Sequence, residues 1–154
     1  MDTYNTIYAE FAIERSFKAS TSKLYQMFAD KASKEQWFKG PNDAQTEHIM
    51  DFRVGGDEYN SGTFHDGIKH IFKAHYYDIV PNQRIVYSYE MYMGDNRISV
   101  SLATLEFIEE GEMAKLSLRE SGVFLDGFDK PEYREYGSKE LLNALEAALQ
   151  ETDE

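Results

Sequence analysis

An α+β fold, a curved antiparallel sheet of about seven strands wrapped on a long C-terminal helix with two short helices after the first strand, is predicted by three features. The C-terminal stretch carries Leu141, Leu142, Leu145, Ala148 and Leu149 on one stripe at three- and four-residue spacing. A series of strand-like runs broken by turn residues precedes it, and between those runs and the first strand the apolar period changes to that of a helix. The helical stripe needs an apolar partner, and the preceding sheet is the one large surface available. A helix laid on a curved sheet encloses a pocket.

Residues 8 to 17, YAEFAIERSF, alternate Phe11, Ile13, Arg15 and Phe17 against Glu14 and Ser16, which suits a strand with one buried face. Ser20 supplies an N-cap for a helix with Leu24, Met27 and Phe28 at helical spacing. Ser33 to Gln36, SKEQ, is a capping-box pattern for a second short helix carrying Trp37 and Phe38, ended by Gly40, Pro41 and Asn42. Strand runs follow at 45 to 52, 57 to 64, 69 to 80, 84 to 93, 97 to 108 and 114 to 124. Gly55-Gly56, Gly62 with Asp66-Gly67, Pro81-Asn82, Gly94-Asp95 and Glu110-Gly111 divide them, and turns this short join antiparallel neighbours. The final helix begins near Lys130-Pro131, since proline is tolerated in a first helical turn. Gly137 then falls inside it, marking either a break near Ser138 or a place where the helix backbone passes close to the sheet or a ligand.

The length suits a single domain spanning residues 1 to 154, with its core at about 8 to 150. Sixteen basic residues against 28 acidic ones leave a formal charge of −12, and no Lys/Arg cluster interrupts that field, which argues against nucleic-acid and membrane partners. Glu109, Glu110, Glu112 and the tail Glu151, Asp153 and Glu154 read as solvated charge. With no cysteine there is no disulfide, thiolate nucleophile or thiolate metal site, and the start lacks the pattern of a targeting segment, so a cytoplasmic protein is expected. Tyr4, Tyr8 and Tyr92 leave a homodimer contact open.

Several segments carry a resemblance: FKAS at 17 to 20, WFKGP at 37 to 41, FRVGGDEY at 52 to 59, YYDIVPNQRIVYSY at 76 to 89, and Gly137 before LLNALEAAL. Together they resemble the activators of heat-shock-protein-90 ATPase and their stand-alone homologues, a family of the START-like (SRPBCC) superfamily, over about residues 10 to 149. The resemblance implies a helix-grip fold and a cavity under the last helix. It also implies chaperone contact, although the extra N-terminal domain through which the eukaryotic activators make part of theirs is missing. The family commonly has Trp after the glycine of the last helix, where this chain has Ser138.

Strand alternation selects the side chains able to line such a cavity. Ile85, Tyr87, Tyr89 and Met91 share the more apolar face of their strand. In the next, periodicity alone leaves Ser99, Ser101, Ala103, Leu105 and Phe107 competing with Ile98, Val100 and Leu102, and the family pattern turns the first set inward. Small residues opposite Tyr87 and Tyr89 would leave volume for an apolar ligand with one or two polar groups. The expected ligand-binding residues are therefore Phe28, Trp37, Phe72, Tyr87, Tyr89, Ser101, Ala103, Leu118, Gly137 and Leu141, although the same aromatics serve equally well to fill a core.

No metal site is expected, because His70 and His75 lie an odd number of residues apart on one strand and His65 lies across a turn. No cofactor is expected either, since Gly55-Gly56 sits between strands and no phosphate loop is present. His75 and Glu120 are the candidate acid-base groups. His75 is a candidate if its imidazole, the side-chain type suited to proton transfer, faces the cavity, and Glu120 shares a face with the apolar Leu116 and Leu118. Glu90 and Glu106 read as surface partners for Arg84, Arg97 and Arg119. Two functions follow: binding of a small hydrophobic, aromatic or polyketide-like molecule, or cyclase- or dehydratase-type catalysis in the same cavity.

Overall fold

The computed structural model describes residues 4–39, 45–64 and 66–152. The expected turn at Gly40, Pro41 and Asn42, together with His65, Asp153 and Glu154, lies outside the described residues. In chain order the elements are β1 (Thr6–Phe17), α1 (Thr21–Ala29), α2 (Lys31–Glu35), β2 (Gln45–Met50), β3 (Asp57–Thr63), β4 (Lys69–Val80), β5 (Arg84–Met93), β6 (Asn96–Glu110), β7 (Met113–Leu125) and α3 (Pro131–Thr152). The strands form one sheet in the order β1-β7-β6-β5-β4-β3-β2, antiparallel throughout. This is the α+β helix-grip architecture expected from the sequence. No described helix is long and apolar enough to cross a membrane.

Register turns alternation into layers. Ile13, Leu118, Leu105 and Ile85 are direct neighbours across β1, β7, β6 and β5, and all four are buried. The next inward row runs Phe11, Glu120, Ala103, Tyr87 and Tyr76, and the one after it Ala9, Gly122, Ser101, Tyr89, Ala74 and Glu58. The ambiguity in β6 resolves in favour of Ser99, Ser101, Ala103, Leu105 and Phe107, all buried, while Val100 and Leu102 are exposed. Ile98 is buried too, because a register shift opposite Met91 and Tyr92 leaves it as the extra residue of a bulge. A Cβ on Gly122 would stand 2.6 Å from Ser101 Oγ and 2.7 Å from the Val100 carbonyl, so glycine is what lets β7 approach β6 here.

Ser20 caps α1, its side chain accepting from Lys23 N. The second helix begins earlier than the SKEQ pattern predicts. Asp30 is its N-cap, and Ser33 donates to Asp30 Oδ2 through both its backbone N–H and its hydroxyl, so Trp37 and Phe38 follow the helix instead of riding on it. Trp37 is fixed by its indole N–H, which donates to the Met27 carbonyl at 2.9 Å.

Beside that turn lies a buried polar hub. Lys34 Nζ donates to Glu58 Oε1 at 2.7 Å, and the Tyr76 hydroxyl donates to the same oxygen. His48 Nε2 stands 2.8 Å from Glu58 Oε2, and His48 Nδ1 2.8 Å from Glu35 Oε2. The hub joins α2, β2, β3 and β4, and the Lys34 ammonium lies 4.5 Å from the centre of the Phe38 ring. Burial alone would raise the Glu58 pKa, but the Lys34 charge and hydrogen bonds from His48, Lys34 and Tyr76 hold it down at about 2.

The long helix divides into two parts. Leu142, Leu145, Ala148 and Leu149 are sunk in a core with Ile13, Phe17, Leu24, Met27 and Leu116, whereas Tyr133 and Tyr136 in the first half are exposed. Gly137 does not break the helix, which runs on past Ser138. Nor does it make room for the sheet, since a Cβ built there meets nothing within 4 Å. The expected break and the expected close approach to the sheet are therefore corrected: the space beside Gly137, on the cavity's roof, is empty.

Gly137→Ala accordingly raises stability by about 0.5–1 kcal/mol through helix propensity and a less disordered unfolded chain, measurable as a higher urea midpoint. For the hub, Glu58 has a depressed folded pKa, so its contribution is present above the ordinary value of 4.5 and fades as pH falls toward about 2. Urea unfolding across that window shows the loss. Lys34→Met, which strands the carboxylate, destabilises by about 3–5 kcal/mol at neutral pH.

Candidate functional site

Because α3 packs against the core through its second half only, its first half stands off the sheet and roofs a cavity of about 310 Å³. The sheet supplies His70 and Phe72 from β4, Tyr87, Tyr89 and Met91 from β5, Leu105 from β6, and Leu118 and Glu120 from β7. Phe28, Trp37 and Phe38 close one side, and Tyr133, Arg134, Gly137, Ser138, Leu141 and Leu142 face down from the helix. Exposed Lys39, Thr46 and Tyr133 stand among these residues, which places the mouth between the β2 edge and the start of α3. The aromatic wall is locked edge-to-face: ring centres are 4.8 Å apart for Phe28 and Trp37, 5.6 Å for Trp37 and Phe38, and 5.0 Å for Phe38 and Phe72.

Polar groups gather at one part of this wall. Arg134 Nη2 donates to Ser99 Oγ at 2.8 Å and to Asp129 Oδ2 at 3.1 Å, and Nη1 donates to the Tyr89 hydroxyl oxygen at 3.2 Å. The Tyr89 hydroxyl in turn donates to Glu120 Oε1. The guanidinium also lies 5.0 Å from the centre of Phe124 and 5.6 Å from that of Tyr89. Burial raises the Glu120 pKa, with the Tyr89 hydrogen bond and the Arg134 charge opposing it. Tyr89 is raised as well, first by burial and then by the Glu120 charge. His70 stacks on Phe64 with centroids 4.0 Å apart, and burial lowers its pKa, which favours the neutral imidazole.

Of the residues named from the sequence, Phe28, Trp37, Phe72, Tyr87, Tyr89, Leu118, Gly137 and Leu141 line the cavity, and so does Glu120. Ser101 and Ala103 do not. They share the inward face and are buried, but Ala103 is packed against Phe72, Ala74 and Tyr89, so the rings and not the small residues form the wall. His75 is also corrected: it lies outside the cavity, 40% exposed at the side chain, with Nδ1 2.6 Å from Asp57 Oδ1. Its strand partner Ser88 belongs to the face opposite Tyr87 and Tyr89. Glu90 pairs with Arg97 at 3.1 Å on the surface, as cross-strand charges do.

Sequence reasoning missed Arg134 and His70 as cavity residues. The available signal was position: Arg134, Gly137, Ser138 and Leu141 recur at three and four residues on α3 and so share its underside. Among the described residues no group of three or more His, Cys, Asp or Glu is arranged to hold a metal ion.

The chain is similar to several solved structures. It is 38% identical to a protein of Rhizobium leguminosarum, covering 97% of this chain and 99% of that one with a TM-score of 0.92. It is 39% identical to a protein of Rhizobium loti, with 94% and 99% covered and a TM-score of 0.87. A protein of Chromobacterium violaceum is 25% identical, with 90% and 94% covered and a TM-score of 0.76. No curated protein matches the sequence. The family described as activator of Hsp90 ATPase homolog 1-like protein matches residues 18–150, so a START-like helix-grip domain with a roofed cavity is, by sequence as well as by fold, a member of that family.

Proposed function

We propose that the protein binds a small hydrophobic molecule, aromatic or polyketide-like, in the cavity between the sheet and α3. The observation that carries this reading is a hollow of about 310 Å³ walled largely by aromatic and aliphatic side chains, with Arg134, Tyr89 and Glu120 joined by hydrogen bonds on one part of its wall. A cavity of roughly 150 Å³ holds benzene, so this one suits a ligand of two or three fused rings. A core that merely packed would have closed such a void, since each empty volume forfeits dispersion contacts.

A second reading is favoured by Glu120, an inward carboxyl with a raised pKa, joined to Tyr89 and, through it, to Arg134. Such a group can take a proton from carbon next to a bound carbonyl, the first step of a cyclase- or dehydratase-type reaction.

Titration with naphthalene, followed by amide resonances and the Trp37 indole N–H, is expected to give saturable shifts at Tyr87, Leu118 and Trp37. Gly137→Phe, which places a ring in the empty space, weakens binding by about tenfold or more while the fold persists. Shifts that never saturate, or that fall outside the cavity, overturn the binding reading. For the catalytic one, an aryl methyl ketone held with the protein in heavy water gains deuterium beside its carbonyl, and Glu120→Gln abolishes the gain; unchanged exchange in that variant removes it.

A further inference from the structure

Among the polar atoms that line the cavity without a partner in the protein, two belong to one row of the sheet. Tyr87 has no hydrogen-bond partner for its hydroxyl among the described residues, and Glu120 engages Oε1 only. Among those residues, no side-chain nitrogen or oxygen is both fully buried and without a hydrogen bond. Both atoms therefore keep accessible surface, and both side chains line the cavity. The side chains are near each other, since Glu120 pairs with Ala103 and Ala103 with Tyr87 in one row of the sheet. A tyrosine hydroxyl deep in an apolar wall loses its water and, without a partner, forfeits a hydrogen bond.

Resting on the reading that the cavity takes an aromatic ligand, we infer that this ligand is a neutral hydroxyarene, whose phenolic oxygen accepts from the Tyr87 hydroxyl and whose phenolic O–H donates to Glu120 Oε2. A phenol is donor and acceptor at once, so it satisfies both open atoms. An ether or a plain hydrocarbon leaves Glu120 or both without a partner. A carboxylate ligand meets unfavourable charge. Of the two cationic side chains that line the cavity among the described residues, Lys39 stands exposed at the mouth, and Arg134, nearer to Glu120, is already engaged by Asp129 at 3.1 Å and donates to Ser99 and Tyr89. The negative fields of Glu120 and Glu58 reinforce burial in resisting ionisation of Tyr87 and would resist a bound anion for the same reason. His70, on the same wall, is held toward its neutral form.

The test compares 2-naphthol, 2-methoxynaphthalene, naphthalene and 2-naphthoate by amide-shift titration at neutral pH. 2-Naphthol is expected to bind about tenfold more tightly than naphthalene or the methyl ether, with 2-naphthoate weakest. Tyr87→Phe breaks no hydrogen bond within the protein, so it folds; it lowers the ratio of 2-naphthol to naphthalene affinity about fivefold. Naphthalene binding as well as 2-naphthol, 2-naphthoate binding best, or a naphthol-to-naphthalene ratio untouched by Tyr87→Phe overturns the assignment while the aromatic cavity stands. If none of the four binds, the cavity reading falls and this one with it.

Discussion

The guanidinium of Arg134 is what keeps the first half of α3 off the sheet and yet attached to it. That half-helix has little apolar packing of its own, so it would either collapse onto the tyrosines or lift into solvent. Arg134 instead reaches down to Ser99 on β6 and Tyr89 on β5, with Asp129 bracing it from the preceding loop. A planar, delocalised cation suits the task, because it makes several directed bonds and lies against the rings of Phe124 and Tyr89. The anchoring half of the helix supplies the adhesion, and Arg134 sets the gap.

At the other end of the cavity a carboxylate does comparable work. Glu58 sits on an inward position of β3, close to the sheet edge, and without compensation it would be costly there. Lys34, Tyr76 and His48 surround it, so that α2 is pinned where Trp37 and Phe38 can close the side wall. Lys34, pressed against Phe38, thus links the ionic hub to the aromatic lining. Two polar networks, one under the roof and one beneath the side wall, thus frame an apolar space that neither of them fills.

Much of this was legible in the sequence because periodicity reports faces. The stripe Leu142, Leu145, Ala148 and Leu149 and the alternation of Ile85, Tyr87, Tyr89 and Met91 are local signals, and they fix which surfaces meet. Contacts between distant charges carry no local signal. Lys34 on a short helix looks like a solvated residue until β3 brings Glu58 beneath it, 24 residues on. Ser101 and Ala103 show the limit of volume arguments: small side chains left space, but the neighbouring rings occupied it. His75, named from the sequence as an acid-base candidate, falls on the outer face by the parity of its strand, whereas whether a given inward residue meets cavity or core depends on where α3 touches down.

The vacancy beside Gly137 bears on how such domains diversify. A residue whose side chain would enter unoccupied space, on a helix anchored elsewhere, can be exchanged without repacking anything. One codon then trims the hollow by a methyl, an isobutyl or a ring, while strands, caps and ion pairs stay as they are. Selection for a new guest can proceed there in small steps, separated from the demands of folding.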